Sequence, residues 1–136
     1  MKIGDIMKLF KPIKESDASL RVKKIFQDIK KTRKIKSIPN FWRSLAHNPN
    51  TLERTWKNLK QIMKKGALDS VTKELIYVAV SITNSCEYCT RSHTYAAKKK
   101  GATEQMIKEM IDVVGLANQN NKLVEAYQIE VDKIYK

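Results

Sequence analysis

A chain of 136 residues is long enough for one domain, and an apolar fraction of 42% places it among globular rather than disordered proteins. Its 27 Lys and Arg against 14 Asp and Glu give a net charge of +13, a field that attracts nucleic acid, anionic membranes or acidic partners. Yet 22 of the basic residues are lysine and only five arginine, with no aromatic-interleaved basic motif or zinc-finger spacing, so nucleic-acid binding is disfavoured against a solvated lysine-rich surface.

The charge is unevenly spread: residues 1–38 carry twelve basic against four acidic side chains, whereas 101–136 carry four against six. Glycine (4) and proline (3) are scarce, which favours helices. The start, Met1 to Phe10, lacks the uninterrupted apolar stretch of a signal peptide, and the longest apolar run, Leu75 to Val80, is too short to span a bilayer. A soluble cytoplasmic protein without membrane contact is expected, in which cysteines serve catalysis or metal binding rather than structural cross-linking.

Residues 1–14 read as a basic arm, with a short helix that docks on the body. Ser16 or Asp17 is positioned to cap a helix to about Thr32, striped by Val22, Ile25, Phe26 and Ile29. A basic connector, Lys30 to Lys36, leads to Pro39 and a short helical piece over 41–46 that turns Trp42 and Leu45 inward. Asn48-Pro49 is an N-cap followed by a first helical position, opening a helix to about Lys65 with Leu52, Trp56, Leu59 and Met63 on one face and Gly66 as its stop.

Asp69 or Ser70 opens the next helix, over about 69–83. Its run from Leu75 to Ile82 is apolar on nearly all sides and predicts a buried central helix. Ser85 is a good N-cap for a helix from Cys86 to near Lys100, with Gly101 just beyond. Thr103 caps a helix to about Asn118, with Met106, Met110, Val113 and Val114 inward; Asn118 to Asn121 read as a turn before a last helix striped by Leu123, Tyr127, Val131 and Ile134. The expectation is an all-α bundle of six or seven helices, with 1–37 as arm and amphipathic helix and 38–136 as the main domain of one globular unit.

Both cysteines of the chain lie in Cys86-Glu87-Tyr88-Cys89, four residues before His93, one of two histidines, and Glu74 lies twelve residues before Cys86. A thiol in the first turn of a helix is acidified by unpaired N–H groups and the macrodipole. Cys89 shares its face at i+3, with Cβ atoms about 5–6 Å apart in an ideal helix against about 3.8 Å in a disulfide, so bond closure demands distortion and suits a labile disulfide. His93, one turn past Cys89, can take a thiol proton, and Glu74 can hold the histidine's tautomer. Tyr77 and Tyr88 can line the same pocket.

Other readings stay open. The cysteines can be ordinary buried residues. A zinc site would need Glu74 or the distant His47 to complete the three ligands Cys86, Cys89 and His93. The chain would then be a basic helical binding module for nucleic acid or a regulatory partner. The usual haem attachment pattern fails because Thr90 stands where it needs histidine, and no βαβ pattern supports a thioredoxin-like fold.

The pattern Glu74-x11-Cys86-x2-Cys89-x3-His93 resembles the signature of the AhpD-like, or carboxymuconolactone decarboxylase, superfamily. Flanking text is similar too: Ile38-Pro39-Asn40-Phe41, Asn48-Pro49, Gly66-Ala67-Leu68-Asp69 and Gly101-Ala102-Thr103, so the resemblance covers about 38–118. It implies an all-α fold assembling as a dimer, trimer or hexamer, and an antioxidant peroxidase or disulfide reductase acting on alkyl hydroperoxides. It further implies that Cys89 attacks the peroxide, Cys86 resolves the product to a disulfide, and His93 with Glu74 relays the proton. The helix-start argument instead makes Cys86 the more acidic thiol. The resemblance implies no bound cofactor, and electrons supplied by a thiol, lipoyl or thioredoxin-like donor, or passed to a peroxiredoxin. Some relatives carry histidine where this chain has Tyr88.

Overall fold

In a computed structural model that describes residues 10–135, the chain forms six α-helices and two short 3-10 turns, with no strand among the described residues. The helices are α1 (Leu20–Arg33), α2 (Asn40–Leu45), α3 (Pro49–Met63), α4 (Ser70–Thr83), α5 (Glu87–Lys99) and α6 (Glu104–Tyr127). The all-α expectation holds. Most of the proposed basic arm, residues 1–9, lies outside the described residues. The helices divide into two compact units, one ending at Ile62 and the other beginning at Met63.

The first unit owes its core to the stripe read from the sequence. Val22, Phe26 and Ile29 of α1 meet Ile38, Trp42, Ala46, Leu52 and Trp56 in one buried cluster. Each large side chain so enclosed contributes about 1.5–3 kcal/mol. The two tryptophans meet edge to face, centroids 5.4 Å apart. Trp56 Nε1–H donates to Asp28 Oδ2 (2.7 Å), which also accepts from Lys60 (2.5 Å), and these two hydrogen bonds hold the Asp28 carboxyl below its usual range. Segments before and after residue 38 are tied together: Glu15 accepts from the Ile38 N–H (2.9 Å) and pairs with Lys30, while Arg43 Nε donates to the Ile13 carbonyl (2.7 Å).

Several boundaries differ from the sequence reading, each for a local reason. The cap of α1 is Ser19, whose hydroxyl accepts from the Val22 N–H, because Glu15–Asp17 form a separate 3-10 turn ahead of it. Asn48 caps α3 as expected, accepting from Thr51 N–H at 3.2 Å. Asp69 caps α4 through Val71 and Thr72 N–H, and Thr103 caps α6 through Met106 N–H.

In the second unit α4 packs against α5 and α6. Asn118 to Asn121 do not form a turn: α6 runs unbroken through them, because Asn118 Nδ2 donates back to the Val114 carbonyl (2.8 Å) and to Thr83 Oγ1 (3.2 Å) instead of breaking the ladder. The inward face of α6 is also narrower than expected. Val114 is buried, but Met106 and Val113 are exposed, as are Leu123 and Tyr127. Helix α4 likewise buries a single stripe, Glu74, Val78 and Ser81, at i, i+4 and i+7, and leaves Ile76 and Val80 about half exposed. A helix apolar on all sides thus shows a second apolar face left exposed among the described residues.

Candidate active site

The turn between α4 and α5 carries the cysteines, and its backbone explains their placement. Cys86 N–H donates to the Ser81 carbonyl (2.9 Å) and Ser85 N–H to the Ile82 carbonyl (3.0 Å), the paired bonds of a Schellman termination. That motif needs a left-handed residue, and Ser85 supplies it with φ of 54°. Ser85 therefore ends α4 rather than capping α5, a correction to the sequence reading. The capping role passes to Cys86, whose Sγ accepts from the Cys89 N–H at 3.4 Å. Cys86 thus closes one helix and opens the next with no residue between.

Both thiols are free and partly buried. The hydrogen bond with Cys86, then burial, then the charge of Cys86, push the Cys89 thiol up to about 11. Once one sulfur of the pair is ionised, the other holds its proton.

From Cys89 one face of α5 runs through His93 and fully buried Ala97 to Lys100 at the helix's C-cap. This face meets the buried stripe of α4. His93 Nδ1 lies 2.6 Å from Glu74 Oε2, and Lys100 Nζ lies 2.6 Å from Glu74 Oε1. Glu74 is only 3% exposed. Burial pushes its carboxyl up, but hydrogen bonds from His93 and Lys100, with the charge of Lys100, outweigh this and leave it below the usual range. Tyr77, one turn along α4, stacks on the His93 ring with centroids 3.5 Å apart and planes 14° from parallel. Burial raises the Tyr77 phenol first, followed by the charges of Cys89, Cys86 and Glu74.

Glu74, Tyr77 and His93 therefore converge, with the paired cysteines at the head of the same helix. Tyr88, between the cysteines, is 44% exposed. His47, considered as a remote zinc ligand, belongs to the other unit, where its Nε2 lies 2.8 Å from the Lys11 carbonyl. Among the described residues no three of His, Cys, Asp and Glu are grouped to hold a metal ion. Lys100 is the member that the sequence reading missed. Its signal was the spacing, since it lies seven residues, two helical turns, beyond His93.

Comparison with known proteins agrees with this architecture. A crystal structure of the alkylhydroperoxidase AhpD core from Rhodospirillum rubrum is 43% identical and superposes with a TM-score of 0.82, over 99% of this chain and 93% of that one. A stretch of 52 residues is 42% identical to uncharacterised protein 4 in the cox locus of Paracoccus denitrificans, covering 38% of this chain and 47% of that protein. Alkyl hydroperoxide reductase AhpD of Corynebacterium kroppenstedtii is 30% identical over 69 residues, 51% of this chain and 38% of that protein. The chain thus spans less than half the length of the curated relatives it matches. The model of the carboxymuconolactone decarboxylase family matches residues 49–129, which contain Glu74, both cysteines, His93 and Lys100, and with the AhpD-like fold this makes the chain a member of that family.

Proposed function

We propose that the protein is a dithiol peroxidase that reduces alkyl hydroperoxides through a Cys86–Cys89 dithiol–disulfide cycle. The observation that carries this reading is the Glu74–His93 pair, held at 2.6 Å, with His93 on the same face of α5 as Cys89. Glu74 fixes the imidazole with its Nδ1 toward the carboxylate, leaving Nε2 to accept a proton. A thiol pushed up to about 11 does not ionise unaided near neutrality, so Cys89 is the sulfur for which a positioned base matters.

In this cycle His93 takes the Cys89 proton and the thiolate attacks the terminal peroxide oxygen. A sulfur–oxygen bond forms, the O–O bond breaks, and the alkoxide takes a proton to leave as alcohol. Cys86, its sulfur already accepting the Cys89 N–H, attacks the sulfenic acid. The S–S bond forms and the hydroxyl leaves, with a proton, as water. The two electrons come from the dithiol, and exchange with an external dithiol such as a lipoyl or thioredoxin-like donor restores it. The reaction draws on no bound cofactor.

The same reading includes self-association. Ile76 and Val80 on α4, and Val113, Leu116, Leu123 and Val124 on α6, are all large, apolar and exposed in the single chain. Sedimentation equilibrium tests this, and a monomer at micromolar concentration would remove it.

The cycle itself is tested by intact mass and thiol counting after one equivalent of an organic hydroperoxide. A loss of two daltons and of both thiols, reversed by a dithiol, is the expected result. Two thiols that survive peroxide would overturn the reading.

A further inference from the structure

A lysine in the last turn of a helix ordinarily extends into water and interacts weakly with the macrodipole. Lys100 does otherwise. Its ammonium lies 2.6 Å from Oε1 of a carboxylate whose side chain is 5% exposed, while its own side chain is 33% exposed. The backbone holds it there. Lys100 is the C-cap of α5, Gly101 follows with φ of 106°, and the Gly101 and Ala102 N–H groups return to the Lys98 and Ala97 carbonyls in a second Schellman termination. The two carboxylate oxygens of Glu74 are thereby divided, Oε1 to Lys100 and Oε2 to His93 Nδ1.

This division bears on which proton His93 carries. A buried carboxylate demands a nearby positive charge. Were the imidazole the sole partner, the whole demand would fall on the ring and raise its affinity for a second proton, and a doubly protonated ring has no lone pair to accept a thiol proton. With a lysine on the other oxygen, the imidazole can meet the carboxylate as a neutral Nδ1–H donor. Building on the dithiol peroxidase reading, we propose that Lys100 is a positioning residue: it neutralises and clamps Glu74 so that His93 is held as the neutral Nδ1–H tautomer with Nε2 free to act as base.

The test is a spectroscopic one that needs no turnover. Ring nitrogen chemical shifts of His93, assigned with His93→Gln, distinguish the neutral tautomers from the imidazolium. In the reduced full-length protein at neutral pH, the wild type should show one protonated nitrogen, Nδ1. Lys100→Gln keeps the length but removes the charge, and should move the ring toward the imidazolium pattern, with peroxide-driven disulfide formation slowed roughly tenfold, a part of the general-base contribution. Lys100→Arg keeps the charge and should restore both. A wild-type ring pattern in Lys100→Gln overturns the proposal, and so does a wild-type protein whose His93 already shows two protonated nitrogens. Should Lys100→Gln not fold, Lys100→Arg carries the decision, and loss of the Nδ1–H pattern there counts against the clamp. If the wild type forms no disulfide with peroxide, the proposed function falls while the ring measurement still decides the role of Lys100.

Discussion

Replacing Glu74 with glutamine changes one oxygen to an amide nitrogen and leaves the shape intact. The consequence follows from its two partners. Lys100 can only donate, so it requires the amide oxygen on its side, at the position of Oε1. The amide nitrogen must then face His93 Nδ1, where it donates, and the ring is forced to accept at Nδ1 and carry its proton on Nε2. The base is presented with its lone pair turned inward. General-base assistance is worth about 10²–10⁴ in rate, and a reversed tautomer forfeits most of it, so peroxide-driven disulfide formation in Glu74→Gln should slow by about 10²-fold or more. The hydrogen bond to His93 becomes a neutral one and that from Lys100 loses the charge of its acceptor, a loss of about 1–3 kcal/mol in stability that urea denaturation reads separately. Quenched-flow thiol trapping followed by mass analysis gives the rate. Adding Lys100→Met to Glu74→Gln frees the amide to turn over, and the double variant should recover part of the lost rate. A Glu74→Gln rate within twofold of wild type would refute the relay, and a double variant slower than the single would refute the reasoning about amide orientation.

Further outcomes follow from the same geometry. Cys86→Ser should leave a sulfenic acid on Cys89 that dimedone captures after peroxide, whereas Cys89→Ser should yield none; the reverse pattern would exchange the roles of the two sulfurs. Because the folded Glu74 carboxyl lies below its usual value of 4.5, its stabilisation is complete above that value and disappears as pH falls through the lower folded value; wild type should therefore lose more stability than Glu74→Gln across that acid range in parallel urea titrations. Leu52→Ala, at a fully buried position in the first unit, should destabilise by about 2–5 kcal/mol in thermal or urea unfolding. Thr103→Ala removes the acceptor for the Met106 N–H at 3.1 Å and should cost about 1 kcal/mol.

The fold was readable where periodicity and capping chemistry agreed. The stripe Val22, Phe26 and Ile29, the Asn48-Pro49 start, and the caps at Asp69 and Thr103 each depend on residues adjacent in sequence. The misreadings share a different origin. Asn118 to Asn121 have turn chemistry, but a hydrogen bond from Asn118 to Thr83, 35 residues away, accompanies their helical form. Ser85 has N-cap chemistry, yet ending α4 imposed a left-handed backbone on it before it could start anything. Glu74, Cys86, Cys89 and His93 stood out because their spacing carries chemistry. Lys100 did not, being one lysine among 22, distinguished only by the carboxylate that a neighbouring helix brings to it.

The double duty of Cys86 links the oxidation state of the motif to the integrity of α5. While the thiols are reduced, Cys86 Sγ accepts the Cys89 N–H and completes the first turn. A sulfur drawn toward Cys89 Sγ to form a disulfide gives up that cap, worth at most about 1 kcal/mol for so weak an acceptor. The reduced form is favoured by that amount, which for a two-electron couple raises the reduction potential by about 20 mV. The helix start then acts as a spring that returns the motif to the dithiol, and amide exchange in the first turn of α5 should report the redox state without any probe of sulfur.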